Sequence, residues 1–126
     1  MKDLNEVSGE IVDASVRLHT KLGPGLLETV YEVLLAHELE KRGLKVERQK
    51  PVPIELEGIR FDEGFRADLI VEGSVVVELK SVEALSRVHA KQLLTYLRLL
   101  DYRLGLLINF GAPVLRDGIR RVVNRL

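Results

Sequence analysis

Cysteine is absent from this chain of 126 residues. No disulfide framework, thiolate zinc site or cysteine nucleophile can therefore be built, and nothing speaks for an oxidising compartment. No apolar run approaches the roughly 18 residues that span a bilayer. The opening residues Met1 to Glu6 are polar and acidic with no apolar signal core behind them, so the expectation is a soluble, cytoplasmic protein with no membrane partner. Net charge is missing too: 19 basic residues meet 19 acidic ones, unlike the strong basic excess of many nucleic-acid binders, so any basic footprint must be local. Aromatics make up only 5% of the chain and form no stacking platform, and no acyl-transfer or phosphate-loop motif occurs. What remains is 46% apolar residues, enough for one core without a covalent staple.

Hydrophobic spacing divides the chain into elements. Val7, Ile11, Ala14 and Leu18 recur at helical period, predicting a helix over about 5–22 with Asn5 or Ser8 as its cap. Gly23-Pro24-Gly25 breaks it. A second helix, wide-faced and largely buried, is expected from about Leu26 to Arg42, stopped by Gly43. Period-two alternation in Val52, Ile54 and Leu56 marks a strand over 44–56, with Pro51 and Pro53 pointing to a sheet edge or a bulge. Turns are expected at Glu57-Gly58 and Glu63-Gly64 around a short Ile59-Arg60-Phe61 segment, followed by a strand over 65–71 and a turn at Glu72-Gly73. The β-branched run from Val75 reads as a central strand covered on both faces. A helix over 86–100 with Val88, Leu93, Leu97 and Leu100 facing the sheet, a strand over 104–110, and a last antiparallel strand near 119–124 complete the chain. The expectation is one α/β domain over 1–126, with its core at about 25–110.

Three polar residues break the burial pattern. In the strand ending at Lys80, Glu78 and Lys80 share a face, and a tight hairpin at Glu72-Gly73 brings Asp68 of the preceding strand within reach of Glu78. Two carboxylates that close repel each other unless a cation intervenes, and an all-oxygen donor set suits Mg²⁺ or Mn²⁺. Lys80 beside such a site would orient or deprotonate a water, or offset charge on a phosphate under attack, which is phosphodiester hydrolysis. A buried salt bridge of Lys80 with Glu78 or Asp68 explains the same spacing without any chemistry.

Other residues weigh on that choice. Glu28 and Tyr31 lie three apart on the second helix, and His89, Gln92 and Tyr96 lie along one face of the third. Gly25-Leu26-Leu27-Glu28-Thr29-Val30-Tyr31 together with Asp68, Glu78-Leu79-Lys80 and Gln92-x-x-x-Tyr96 resembles the GxxExxY family of the PD-(D/E)XK nuclease superfamily, over nearly the whole chain. The resemblance implies a restriction-endonuclease-like α-β-β-β-α-β core with a mixed central sheet and an extra N-terminal helix. It implies Asp68, Glu78 and the Leu79 carbonyl as metal ligands, Lys80 as the catalytic lysine, and Glu28 as a further acid at the metal. Gln92 and Tyr96 would contact substrate or support the site; Tyr31 and His89 are candidates for the same role, against Tyr31 and Tyr96 as core aromatics whose hydroxyls find a partner and His89 as a polar surface residue. Ala67 stands where the nominal motif has proline.

The activity so implied is Mg-dependent hydrolysis of DNA by an activated water. The alternative is a catalytically silent module of the same fold that binds nucleic acid or a protein partner, favoured by small size and zero net charge. A homodimer is compatible with either. Lys45, Arg48, Lys50, Arg87, Lys91 and Arg98 are candidates for a phosphate-binding rim, against the ordinary reading of scattered surface charge. His19 and His37 read as structural.

Overall fold

The computed structural model describes residues 2–125, and regular structure begins where Asp3 accepts a hydrogen bond from the Glu6 amide at 2.8 Å. Asp3, rather than Asn5 or Ser8, therefore caps helix α1 (Leu4–Leu22), since both of those residues lie within its first turns. Val7, Ile11 and Ala14 face the core as their spacing predicts. The chain reverses at Gly23 and enters helix α2 (Glu28–Lys41). Only one face of α2 is buried, through Tyr31, Leu35, Ala36 and Leu39, while Leu27, Val30, Val33 and Leu34 remain exposed. The expectation of a largely buried helix fails because α1 and the sheet cover α2 from one side only.

Strand β1 (Val46–Leu56) lies at one edge of a five-stranded sheet and carries a register shift between Val52 and Ile54, next to its two prolines. Strand β2 (Ile59–Val71) pairs with it along its length. The expected turn at Glu63-Gly64 does not exist. Gly64 is needed for close approach instead, because a Cβ there would overlap the Ile54 side chain at the irregularity. Glu72 and Gly73 both take the left-handed conformation, φ 55° and 58°, which fits the twist of a tight hairpin into strand β3 (Val75–Lys80).

Sheet order is β1-β2-β3-β4-β5, and β3 is central and buried. Helix α3 (Arg87–Leu100) crosses over to strand β4 (Leu104–Asn109), which runs parallel to β3; strand β5 (Ile119–Val123) closes the other edge antiparallel to β4. This is the mixed sheet of an α/β single domain with a restriction-endonuclease-like arrangement. One core layer packs α1 and α2 against Leu69, Val71, Val75, Val77 and Leu79. The other packs Leu93 and Leu97 of α3 against Ile70, Val76 and Leu107. Val88, expected to face the sheet, is 65% exposed because it lies in the first turn of α3, on the helix face away from Leu93 and Leu97. Among the described residues no helix is long and apolar enough to cross a membrane.

Candidate active site

Strands β2 and β3 pair only from Val71↔Val75 to Leu69↔Val77. Beyond that point they part, and Asp68 and Glu78 stand opposite each other in the opening. Two side-chain bonds replace the missing ladder. The Leu79 amide donates to Asp68 Oδ2 at 2.9 Å, and the Asp68 amide donates to Glu78 Oε1 at 3.3 Å. Each carboxyl is thus aimed at the other strand by the other strand's backbone, which holds the two acids side by side.

Glu78 is only 8% exposed. Burial pushes its carboxyl up to about 8, and the neighbouring Asp68 charge adds to the rise, while the nearby Lys80 charge opposes it. Neither Asp68 nor Glu78 enters an ion pair among the described residues. Lys80 follows on the same side of β3, partly exposed, also without a carboxylate partner among the described residues. The salt-bridge explanation of this cluster is therefore not what the side chains form.

The backbone after Lys80 is fixed from β4. Buried Asn109 accepts from the Val82 amide and donates to the Val82 carbonyl, at 3.0 and 2.9 Å. Its Oδ1 also accepts from the Gly111 amide at 3.0 Å, and a Cβ at Gly111 would run into the Val82 carbonyl. Ser81 Oγ donates to the Leu26 carbonyl at 2.6 Å, tying this end of β3 to the turn that precedes Glu28.

Glu28 is the exposed first residue of α2 and makes no side-chain hydrogen bond among the described residues. Among the described residues no three histidine, aspartate or glutamate side chains gather into a metal cage, so Glu28 does not join Asp68 and Glu78 in one. Tyr31 is fully buried and stacks on Phe110 at 4.3 Å. Its hydroxyl donates to the Gly23 carbonyl at 2.7 Å and accepts from the Leu26 amide at 3.1 Å. Burial withdraws Tyr31 from substrate and makes it the clamp of the turn leading to Glu28.

His89 is committed elsewhere. Its Nδ1 accepts from the Ser86 amide at 3.1 Å, completing the cap of α3. Gln92 is exposed on α3. Tyr96 stacks on Phe65 at 3.9 Å, and its hydroxyl is pushed up by burial and by the charges of Glu78 and Asp68, which places it on the α3 side of the acidic pair. Of the expected basic rim, Arg48 pairs with Glu32 at 3.0 Å and Lys50 with Glu47 at 2.7 Å. Arg87, Lys91 and Arg98 have no such partner among the described residues.

Sequence reasoning missed Glu32, Gln49 and Asn109. Glu32 lies one turn after Glu28 and is buried, where it accepts from Arg48 Nε and Nη2 at 3.2 and 3.0 Å and from Gln49 Nε2 at 2.5 Å. Gln49 Nε2 also donates to Asp68 Oδ1 at 3.2 Å. The spacing of Glu28 and Glu32 on one helix face was a legible signal. Gln49 had none, because one polar residue in an edge strand looks like any other.

Among known families, the model of the PD-(D/E)XK nuclease superfamily matches residues 5–122. No curated protein and no solved structure matches.

Proposed function

Because the chain belongs to the PD-(D/E)XK nuclease superfamily, we propose that it is a metal-dependent deoxyribonuclease whose site is the Asp68–Glu78 pair with Lys80. The observation that carries this is the opening between β2 and β3. Two carboxyls are held against each other there, one of them buried, and among the described residues neither enters an ion pair and the lysine two residues on has no carboxylate partner. Such an arrangement is costly in an inert protein, since a buried carboxylate without a counter-charge is strongly disfavoured.

The donor set fits a hard divalent ion: Asp68 and Glu78 carboxylates, with the Leu79 carbonyl as the third oxygen donor. Mg²⁺ or Mn²⁺ held there supplies a charge that acidifies a water and offsets negative charge on a phosphate. The protein residues divide the remaining work. Asp68 and Glu78 would hold the ion. Lys80 Nζ orients the attacking water or stabilises the charge that builds on the phosphate oxygens. Glu28 opens α2 two residues after the Leu26 carbonyl that Ser81 holds, and in this proposal it would act through water rather than as a direct ligand. Gln92 and the Phe65–Tyr96 stack border the same side and would meet the substrate.

The finer membership, in the GxxExxY branch, rests on Gly25, Glu28 and Tyr31. Gly25 takes φ 95°, and Tyr31 holds the turn around it. That combination gives the name motif a structural reason, namely to present Glu28 at a fixed place.

The test compares wild type, Lys80→Ala and Asp68→Ala on single- and double-stranded DNA and on RNA, in Mg²⁺, Mn²⁺ or EDTA. Cleavage by metal-loaded wild type alone is expected, with Lys80→Ala lowered at least 100-fold. Wild type that cleaves nothing yet shifts labelled DNA in a gel, with the product intact, would instead make this a silent binding module.

A further inference from the structure

We propose that Gln49 is the positioning residue of this site, fixing Asp68 from the side of α2 through buried Glu32, which Arg48 pairs from the surface. The inference rests on the metal-site reading and adds to it a residue outside the motifs. Gln49 lies in β1 between the pairs Arg48↔Leu69 and Lys50↔Ala67, which puts it opposite Asp68. Its Nε2 bridges two acids, Glu32 Oε1 at 2.5 Å and Asp68 Oδ1 at 3.2 Å. With the Leu79 amide on Oδ2, both Asp68 oxygens are held, one from β3 and one from β1.

The backbone shows that this bridge is built rather than incidental. Successive side chains on a strand point to opposite faces. Arg48 and Gln49 are successive, yet both reach the same Glu32 carboxylate. The reversal is made at Gln49 itself, which adopts φ 49°, a left-handed conformation that is unfavourable for a residue with a Cβ and rare within a strand. Glu32 does not need Gln49 for its own neutralisation, because Arg48 already meets it with two nitrogens. The strained residue gains only one contact that Arg48 could not supply, and that contact is Asp68. Outer residues of this kind orient metal ligands and commonly matter by about 10- to 100-fold in affinity or rate.

The experiment uses the full chain with Gln49→Asn and Gln49→Ala. Asparagine tolerates the left-handed conformation and keeps the amide, but it is one methylene too short to span both acids, so folding is preserved while the bridge is lost. Mn²⁺ titration by calorimetry is expected to show affinity lower by about 10-fold or more in both variants. Cleavage should fall in kcat with KM for DNA little changed. In metal-free protein the Leu79 amide, whose acceptor is Asp68, should exchange its hydrogen faster in the variants, with neighbouring Val77 unchanged. Wild type and both variants binding Mn²⁺ equally, with equal Leu79 exchange, would overturn the role of Gln49 and leave the metal site standing. Wild type that binds no Mn²⁺ at all would overturn both.

Discussion

Glu78 carries the most perturbed carboxyl in the site, and its sign runs opposite to that of a salt-bridged acid. Burial and Asp68 raise it from the usual 4.5 to about 8 in the folded chain. Between those values the folded state holds a proton that the unfolded state has lost, so metal-free protein loses stability as pH rises through this window. Below about 4.5 both states are protonated and Glu78 carries no penalty; above about 8 the penalty is complete, on the order of a few kcal/mol. Denaturant unfolding in EDTA between pH 5 and pH 8 should show this decline. Glu78→Gln should flatten it and make the metal-free protein the more stable one at pH 8, and an unchanged slope would refute the assignment. If the pair binds Mg²⁺ or Mn²⁺, either ion should raise the melting temperature of wild type at pH 8 and leave Asp68→Ala unmoved, because a ligand stabilises only the state that binds it.

Elements set how steadily those residues are held. The turn before α2 depends on the Tyr31 hydroxyl, which bonds both the Gly23 carbonyl and the Leu26 amide. Tyr31→Phe keeps the stack on Phe110 and removes both bonds, so a loss of about 1–2 kcal/mol is expected in thermal unfolding. Activity should fall further than stability explains if Glu28 serves the chemistry. After β3, Gly111→Ala would press on the Val82 carbonyl that Asn109 holds, shifting the segment that follows Lys80. Reduced kcat together with a lowered melting point is the expected outcome, and a variant identical to wild type in both would show that this strap does not matter. Element order was readable because it follows from local signals: helical period in α1, β-branched density in β3, glycine and acidic turns between. Gly64 was misread because a glycine after Glu63 resembles a turn in sequence, whereas its need arises from Ile54 across the β1–β2 pair. Val88 was misread for a related reason, since helical period does not say which stripe of α3 the sheet will take.

Across the whole molecule, zero net charge conceals a division. Residues 87–126 hold eight basic residues and two acidic ones, so the preceding part of the chain is acidic by the same margin. Arg87, Lys91 and Arg98 on α3 and Arg120 on β5 are exposed and form no ion pair with a carboxylate among the described residues. By contrast Arg60 and Arg66 on the β1–β2 arm are paired with Asp62 and Glu63. A nucleic acid approaching Asp68 and Glu78 is therefore expected to run along α3 rather than along the arm. Each of Arg87→Glu, Lys91→Glu and Arg98→Glu should weaken DNA binding, measured by fluorescence anisotropy over a salt series. Every lost phosphate contact lowers the slope of log affinity against log salt by about 0.9. Arg60→Glu should change neither, and equal effects from arm and helix would contradict this path.

The sequence by itself determined the order of helices and strands along the chain and the meeting of Asp68 with Glu78, but not that residues 59–71 form one strand. A two-residue hairpin and a period of two leave no other register for residues on one buried face. Tertiary structure alone decided that β2 leaves β3 at Asp68, that Tyr31 and His89 are consumed by a turn and a cap, and that Glu32 and Gln49 reach the site from α2 and β1. The Glu32–Gln49–Asp68 bridge joins three elements through one left-handed residue, and no local pattern encodes such a meeting because Gln49 looks ordinary in its own strand.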